Sequence, residues 1–180
     1  MRRVLFLIAF FLPPPAFAED KWQLIAPDGF EFTVEMPDKP EQQVEQVPLD
    51  GGAMARQEAY LLRRPETGYE QYDFTKVEYP PGSIGRSDEA IKQALDGSQA
   101  GGVEPVDGTV DSEKTITLHG RMTREFTATV MKTVTMRTRL VIVGDTLYLM
   151  TLLTPKDRAS GPDAERYFAS FSPKKVPDKK

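Results

Sequence analysis

Few side chains in this sequence could do chemistry, and they are scattered. His119 is the single histidine, and there is no cysteine. A lone histidine could serve as a general base. This one stands in the turn His119-Gly120-Arg121 with no orienting partner, so it reads as an exposed residue at a hairpin tip. Thiol catalysis needs cysteine, and a zinc site normally needs several His or Cys ligands. The run Asp107-Gly108-Thr109-Val110-Asp111-Ser112-Glu113 does not match a calcium loop and reads as solvated carboxylates. Gly101-Gly102 reads as a helix stop rather than a phosphate-binding loop. These residues predict no catalytic residue, no metal and no cofactor, hence a protein that is not an enzyme.

Two groups of residues could instead contact a partner. The first is Tyr79, Ile84 and Arg86, in a segment carrying Pro80-Pro81-Gly82 between a strand and a helix cap. Such a loop buries little of its own apolar surface, and loops on rigid scaffolds often carry binding. Tyr and Arg are enriched at interface hot spots. The alternative is that Tyr79 and Ile84 pack against the following helix. The second group is Arg137 and Arg139, on one sheet face opposite Thr127 and Glu125. They could meet an anion or a partner protein, or form a cross-strand ion pair worth little.

Charge narrows the partners. The chain has 23 basic and 27 acidic side chains, a net charge of −4. Nucleic acid and anionic membrane surfaces need concentrated Lys and Arg, so neither is expected. Residues 1–18 have the parts of a secretory signal peptide: Arg2-Arg3, the apolar run Val4 to Leu12, three prolines, and Ala16-Phe17-Ala18. Cleavage is predicted between Ala18 and Glu19, giving an exported, periplasmic or extracellular product. The apolar run is far below the roughly 20 residues of a membrane span, so no transmembrane helix is expected in the mature chain. Without cysteine there is no lipoprotein anchor and no disulfide, and a hydrophobic core must supply the stability. Lys174, Lys175, Lys179 and Lys180 mark a short basic tail over 174–180.

The elements that position these residues follow from periodicity. Trp22 to Met36 reads as a hairpin, with Phe30, Phe32, Val34 and Met36 alternating with polar residues. A three-residue loop at Pro27-Asp28-Gly29 sets Ala26 opposite Phe30, Leu24 opposite Phe32 and Trp22 opposite Val34. The polar stretch 37–52 reads as a loop with one short strand at most. Strands follow over Ala53–Leu62 and Tyr69–Tyr79. Ser87 caps a helix that runs to Ala100, with Ala90, Ile91, Ala94 and Leu95 as its apolar stripe. Glu113 to Leu153 reads as hairpin-linked strands. The predicted neighbours are Leu118–Met122, Val130–Val134, Ala128–Met136 and, across a Gly144-Asp145 turn, Ile142–Leu147 and Leu140–Leu149. Thr146 to Thr154 is apolar on both faces, so both faces must be covered. Ser160 to Phe171 is the closing helix, with Ala164, Phe168 and Phe171 facing the core. The sum is a single α+β domain over 19–173: an antiparallel β-sheet with helices on both faces, an α/β/α sandwich.

The phrases Phe30-Glu31-Phe32-Thr33-Val34-Glu35-Met36-Pro37, Val141-Ile142-Val143-Gly144-Asp145-Thr146-Leu147-Tyr148 and Ala164-Glu165-Arg166-Tyr167-Phe168-Ala169-Ser170-Phe171 occur in this order near the start, at the last turn and at the end. In that order the chain resembles the PsbP-like superfamily and its bacterial exported members of unknown function. The resemblance implies the same α/β/α fold. It covers nearly all of the mature chain, but its motifs are core and turn residues. The superfamily includes photosystem accessory proteins, a small-GTPase binder, envelope proteins and secretion chaperones. None of their functional residues can be matched here, and a fold by itself does not assign a function.

The reading that results is a non-catalytic exported binding or accessory module of the cell envelope, with another envelope protein as partner. Two alternatives stay open. One is a small-ligand or lipid-binding protein with a cleft between helix and sheet. The other is a hydrolase using carboxylates alone.

Overall fold

The computed structural model describes residues 22–174. The predicted signal peptide over 1–18, its cleavage site and residues 175–180 of the tail lie outside them. Ten strands, β1 (Gln23–Ile25), β2 (Phe32–Met36), β3 (Glu41–Pro48), β4 (Met54–Arg64), β5 (Glu70–Glu78), β6 (Thr109–Leu118), β7 (Arg121–Val130), β8 (Val134–Val143), β9 (Thr146–Pro155) and β10 (Ser172–Pro173), accompany two α-helices, α1 (Asp88–Val103) and α2 (Pro162–Ala169). Seven strands form one antiparallel sheet in the order β3-β4-β5-β9-β8-β7-β6, and β1-β2-β10 form a second, small one.

β9 lies near the middle of the large sheet and packs on both sides, as its sequence predicts. Tyr148, Met150 and Leu152 join a core with Phe32, Val34, Met36, Phe74, Phe168 and Phe171. Leu147, with Leu149 and Leu153 at its margin, joins a second core with Leu95, Val103, Phe126, Leu140 and Ile142. The coverage differs from the expected helix on each face. α1 belongs to the second core, whereas the short α2 shares the first with the small sheet. That first core is rich in rings. Phe32 stacks on Phe171 at 4.5 Å, and Tyr167 meets Tyr72 edge-on at 5.0 Å. Each such pair adds about 0.5–1.5 kcal/mol beyond burial.

The predicted hairpin registers hold at both later turns. Val130 pairs with Val134 and Ala128 with Met136. Ile142 pairs with Leu147 and Leu140 with Leu149, across a turn in which Gly144 alone has positive φ. Two earlier registers need correction. Leu118 pairs with Arg121 rather than Met122, because His119 (φ +51°) and Gly120 (φ +74°) make a two-residue turn with both residues left-handed. In the first hairpin Leu24 pairs with Glu35 rather than Phe32. The turn at Pro27 does form, with the Phe30 amide donating to the Pro27 carbonyl at 3.3 Å. Phe30 then turns into the core against Tyr60, Phe74 and Tyr148 instead of pairing with Ala26.

Four further expectations change. Residues 41–48, read mostly as loop, form the full edge strand β3. α1 does not stop at Gly101-Gly102; neither has positive φ, and the helix runs on to the buried Val103. Ser160 does not cap α2, whose N-cap is Gly161 with Pro162 following. Lys174 is no free tail residue either, since its ammonium donates to the carbonyls of Ala26 and Pro27. Among the described residues no helix is long and apolar enough to cross a membrane.

Candidate functional site

The loop between β5 and α1 is shaped by the tip of the last hairpin. The Tyr79 amide donates to the Asp145 carbonyl at 2.9 Å. The Asp145 carboxylate accepts from the Ile84 amide at 3.0 Å and pairs with the Arg86 guanidinium at 2.9 Å. The amides of Ile84 and Gly82, with Arg86 adding to them, hold this carboxyl below the usual carboxylate range. Gly144 leaves room for the clamp: a Cβ there would sit 3.1 Å from Nη1 of Arg86. Ser87 then starts α1, its hydroxyl accepting from the Ala90 amide at 3.2 Å.

α1 is fastened to the sheet on one side only. Arg124 of β7 is buried and donates to Asp96 and to Gln99, the latter at 3.0 Å, and to Thr115 at 3.2 Å. Leu95, Gln99 and Val103 face the same side and are buried. Along its other side the helix leaves a groove of about 540 Å³ against β3, β4, β5 and β9. Val47, Ala55, Val77 and Leu147 line the floor. Gly97, Ser98, Gly101 and Gly102 of α1 line the roof, and Tyr79 and Ile84 stand at the wall. An added Cβ at Gly97, Gly101 or Gly102 would meet nothing within 4 Å, so these glycines leave open space beside the helix. Burial pushes the Tyr79 hydroxyl up, against the neighbouring Ser98 side chain, whose hydroxyl donates to the Ala94 carbonyl at 2.7 Å.

The five predicted contact residues are thus divided. Ile84 is buried and Tyr79 half-buried, both in the core beneath α1, where the alternative reading put them. Each also borders the groove. Arg86 remains exposed beside them, held by Asp145. Arg137 and Arg139 lie on the opposite sheet face, beneath α2. Arg137 pairs with Glu165 at 2.6 Å and lies 4.3 Å from the Phe168 ring centroid. Arg139 pairs with Glu125 across the strands, as the ion-pair reading has it, and donates to the Phe168 carbonyl at 2.7 Å. Their charges are balanced locally, so neither is free to recruit an anion.

The remaining candidates take structural places. His119 is exposed and its Nε2 lies 3.1 Å from the Phe171 carbonyl. Asp111 accepts from Thr129, and Glu113 accepts from Gln99. Among the described residues no three His, Asp or Glu side chains are grouped so as to hold a metal. Sequence reasoning missed the groove's roof. The signal was present as Gly97, Gly101 and Gly102 inside a helical pattern, where each glycine costs the helix about 1 kcal/mol against alanine and asks for a reason.

No protein-family model matches the chain, and no curated protein matches it. Solved structures do. The solution structure of cyanobacterial PsbP (CyanoP) from Synechocystis sp. PCC 6803 superposes with a TM-score of 0.56 at 12% identity, covering 91% of this chain and 99% of that one. A protein of unknown function from Pseudomonas aeruginosa is aligned at 13% identity with a TM-score of 0.44, covering 86% of this chain and 99% of its own. At such identity the first likeness speaks for architecture alone, and that architecture is the one the sequence resembles: the fold of this chain is PsbP-like.

Proposed function

We propose that this protein is a non-catalytic binding or accessory module, exported as one domain over 19–173 and working in the cell envelope. Its binding site is the groove between α1 and the sheet, bordered by Tyr79 and Ile84. The observation that carries this reading is the unfilled side of α1: the helix is fastened along Arg124 and stands clear of four strands on the other side. A groove of this volume, apolar with a few polar groups, has the character of binding sites in general. The resemblance to the PsbP-like superfamily, which includes photosystem accessory proteins, supports the same reading, and the fold is that of cyanobacterial PsbP. Arg86 stands exposed beside Ile84, paired with Asp145. Arg137 and Arg139 serve to fix α2.

The carboxylate-only hydrolase is the weaker reading. It needs two carboxyl groups in one cleft whose environments push their pKa values apart. The carboxylates are instead neutralised by cations in separate places: Glu58 and Glu78 share Arg56, Glu125 meets Arg139 and Lys114, and Asp145 meets Arg86.

The experiment is site-specific photocrosslinking in the producing cell. A photoreactive side chain at Ser98 should capture the bound molecule, and the same group at Lys132, on a distant hairpin tip, should not. Equal products from both positions, or none from Ser98, would overturn the assignment of the groove.

A further inference from the structure

The groove carries information about what fills it. No Asp, Glu, Lys or Arg is among its lining residues. A charge buried there would lose its hydration without a partner, so the buried part of a ligand must be uncharged. The polar groups that do line it are the amide of Gln57 and the hydroxyls of Tyr79, Ser83 and Ser98.

Its shape follows from the register. Val47 of β3 pairs with Ala55 of β4, Gln57 with Val77 of β5, and Val77 with Leu147 of β9. The floor therefore crosses four adjacent strands. Neighbouring strands lie about 4.8 Å apart, so it is roughly 14 Å long. Its side chains are aliphatic apart from Gln57, whose amide donates to Glu45 at 2.8 Å; Tyr79 is the one ring in the lining. Above it, Gly97 and Gly101 fall one helical turn apart and leave open space in the roof between the side chains of Ala94 and Ser98.

The volume separates a small ligand from a protein partner. About 540 Å³ is within the range of roughly 300–1,000 Å³ typical of small-molecule sites. A stable protein partner would instead cover on the order of 800 Å² with some twenty to thirty residues.

We propose that the groove binds one uncharged aliphatic chain, the acyl chain of a single-chain lipid, laid across β3, β4, β5 and β9 beneath the glycines of α1. The head group stays at the rim, where the Tyr79 hydroxyl can donate to an ester oxygen and the Ser98 hydroxyl, whose own proton goes to the Ala94 carbonyl at 2.7 Å, can accept from an alcohol. The inference rests on the reading that this groove is the binding site, and it adds the class of ligand.

The test uses monolaurin, an uncharged single-chain ester, titrated below its aggregation concentration into the isotope-labelled mature protein. Saturable amide shifts at Ser98, Gly101, Val77 and Leu147 are expected, with little change at Lys132 or Arg158. Gly101→Leu fills the roof and should weaken binding by about tenfold or more. Its melting and amide dispersion report whether it folds, and Gly97→Leu serves if it does not. Binding that persists in the folded variant, or shifts spread over both sheet faces, overturns the proposal. No binding of monolaurin, with specific crosslinking from Ser98, removes the acyl chain and leaves the groove as the site. No binding and no crosslinking removes both.

Discussion

Asp145 and Ile84 are joined across 61 residues of chain, the Ile84 amide donating to the Asp145 carboxylate at 3.0 Å. Through this bond and the Arg86 ion pair, the tip of the last hairpin sets the loop that begins α1. The turn residue of one hairpin thereby shapes one wall of the groove.

That carboxyl titrates below its ordinary range because the Ile84 and Gly82 amides, and then Arg86, stabilise its charge. A carboxyl with a lowered folded-state pKa stabilises the fold above the unfolded value, about 3.9, and loses that contribution as pH falls through the folded value. Asp145→Asn should therefore melt below the wild type at pH 7. Thermal melts in acid should show the two converging below about pH 4. A difference independent of pH would contradict this.

Asp73 has the opposite sign. Burial pushes its carboxyl up to about 6, against a Thr75 hydrogen bond and the charge of Arg63. A raised value gives stability that is present below the unfolded pKa and lost as pH rises through the folded one. At neutral pH the charge opposes folding, so Asp73→Asn should stabilise by on the order of 1–3 kcal/mol at pH 7. Urea unfolding should show the gain vanishing near pH 4. A variant less stable than wild type at pH 7 would refute the assignment.

Phe168 is 3% exposed and lies under both Arg137 and Arg139. Phe168→Ala should cost about 3–5 kcal/mol in urea unfolding. A loss below about 1 kcal/mol would mean that α2 does not close the first core.

Arg124 fastens α1 through Gln99 and Asp96. Arg124→Met leaves the Gln99 amide without this partner, and should cost about 1–3 kcal/mol. Hydrogen exchange should rise first in α1, before the central strands. A uniform rise across the sheet would show that the contact does not anchor the helix.

How far the sequence could be read depended on which residues repeat an apolar pattern. β8 and β9 were legible to the register because Leu140, Ile142, Leu147 and Leu149 alternate into one core. β3 was not, because its outer-edge position leaves Val44 exposed among Glu and Gln, with no alternation to see. The hairpin at His119 slipped by one because a non-glycine residue takes a left-handed conformation there. The groove was illegible as a unit. Val47, Val77, Ser98 and Leu147 come from four separate elements, and each looks like an ordinary core or helix residue in its own segment.

Native mass spectrometry of the protein purified gently from its own cells tests whether the groove holds a ligand. A fraction carrying one additional molecule is expected on the wild type and not on folded Gly101→Leu, whose new side chain occupies the groove. Wild type and variant carrying the same added mass, or wild type recovered only bare after every mild extraction, would contradict this.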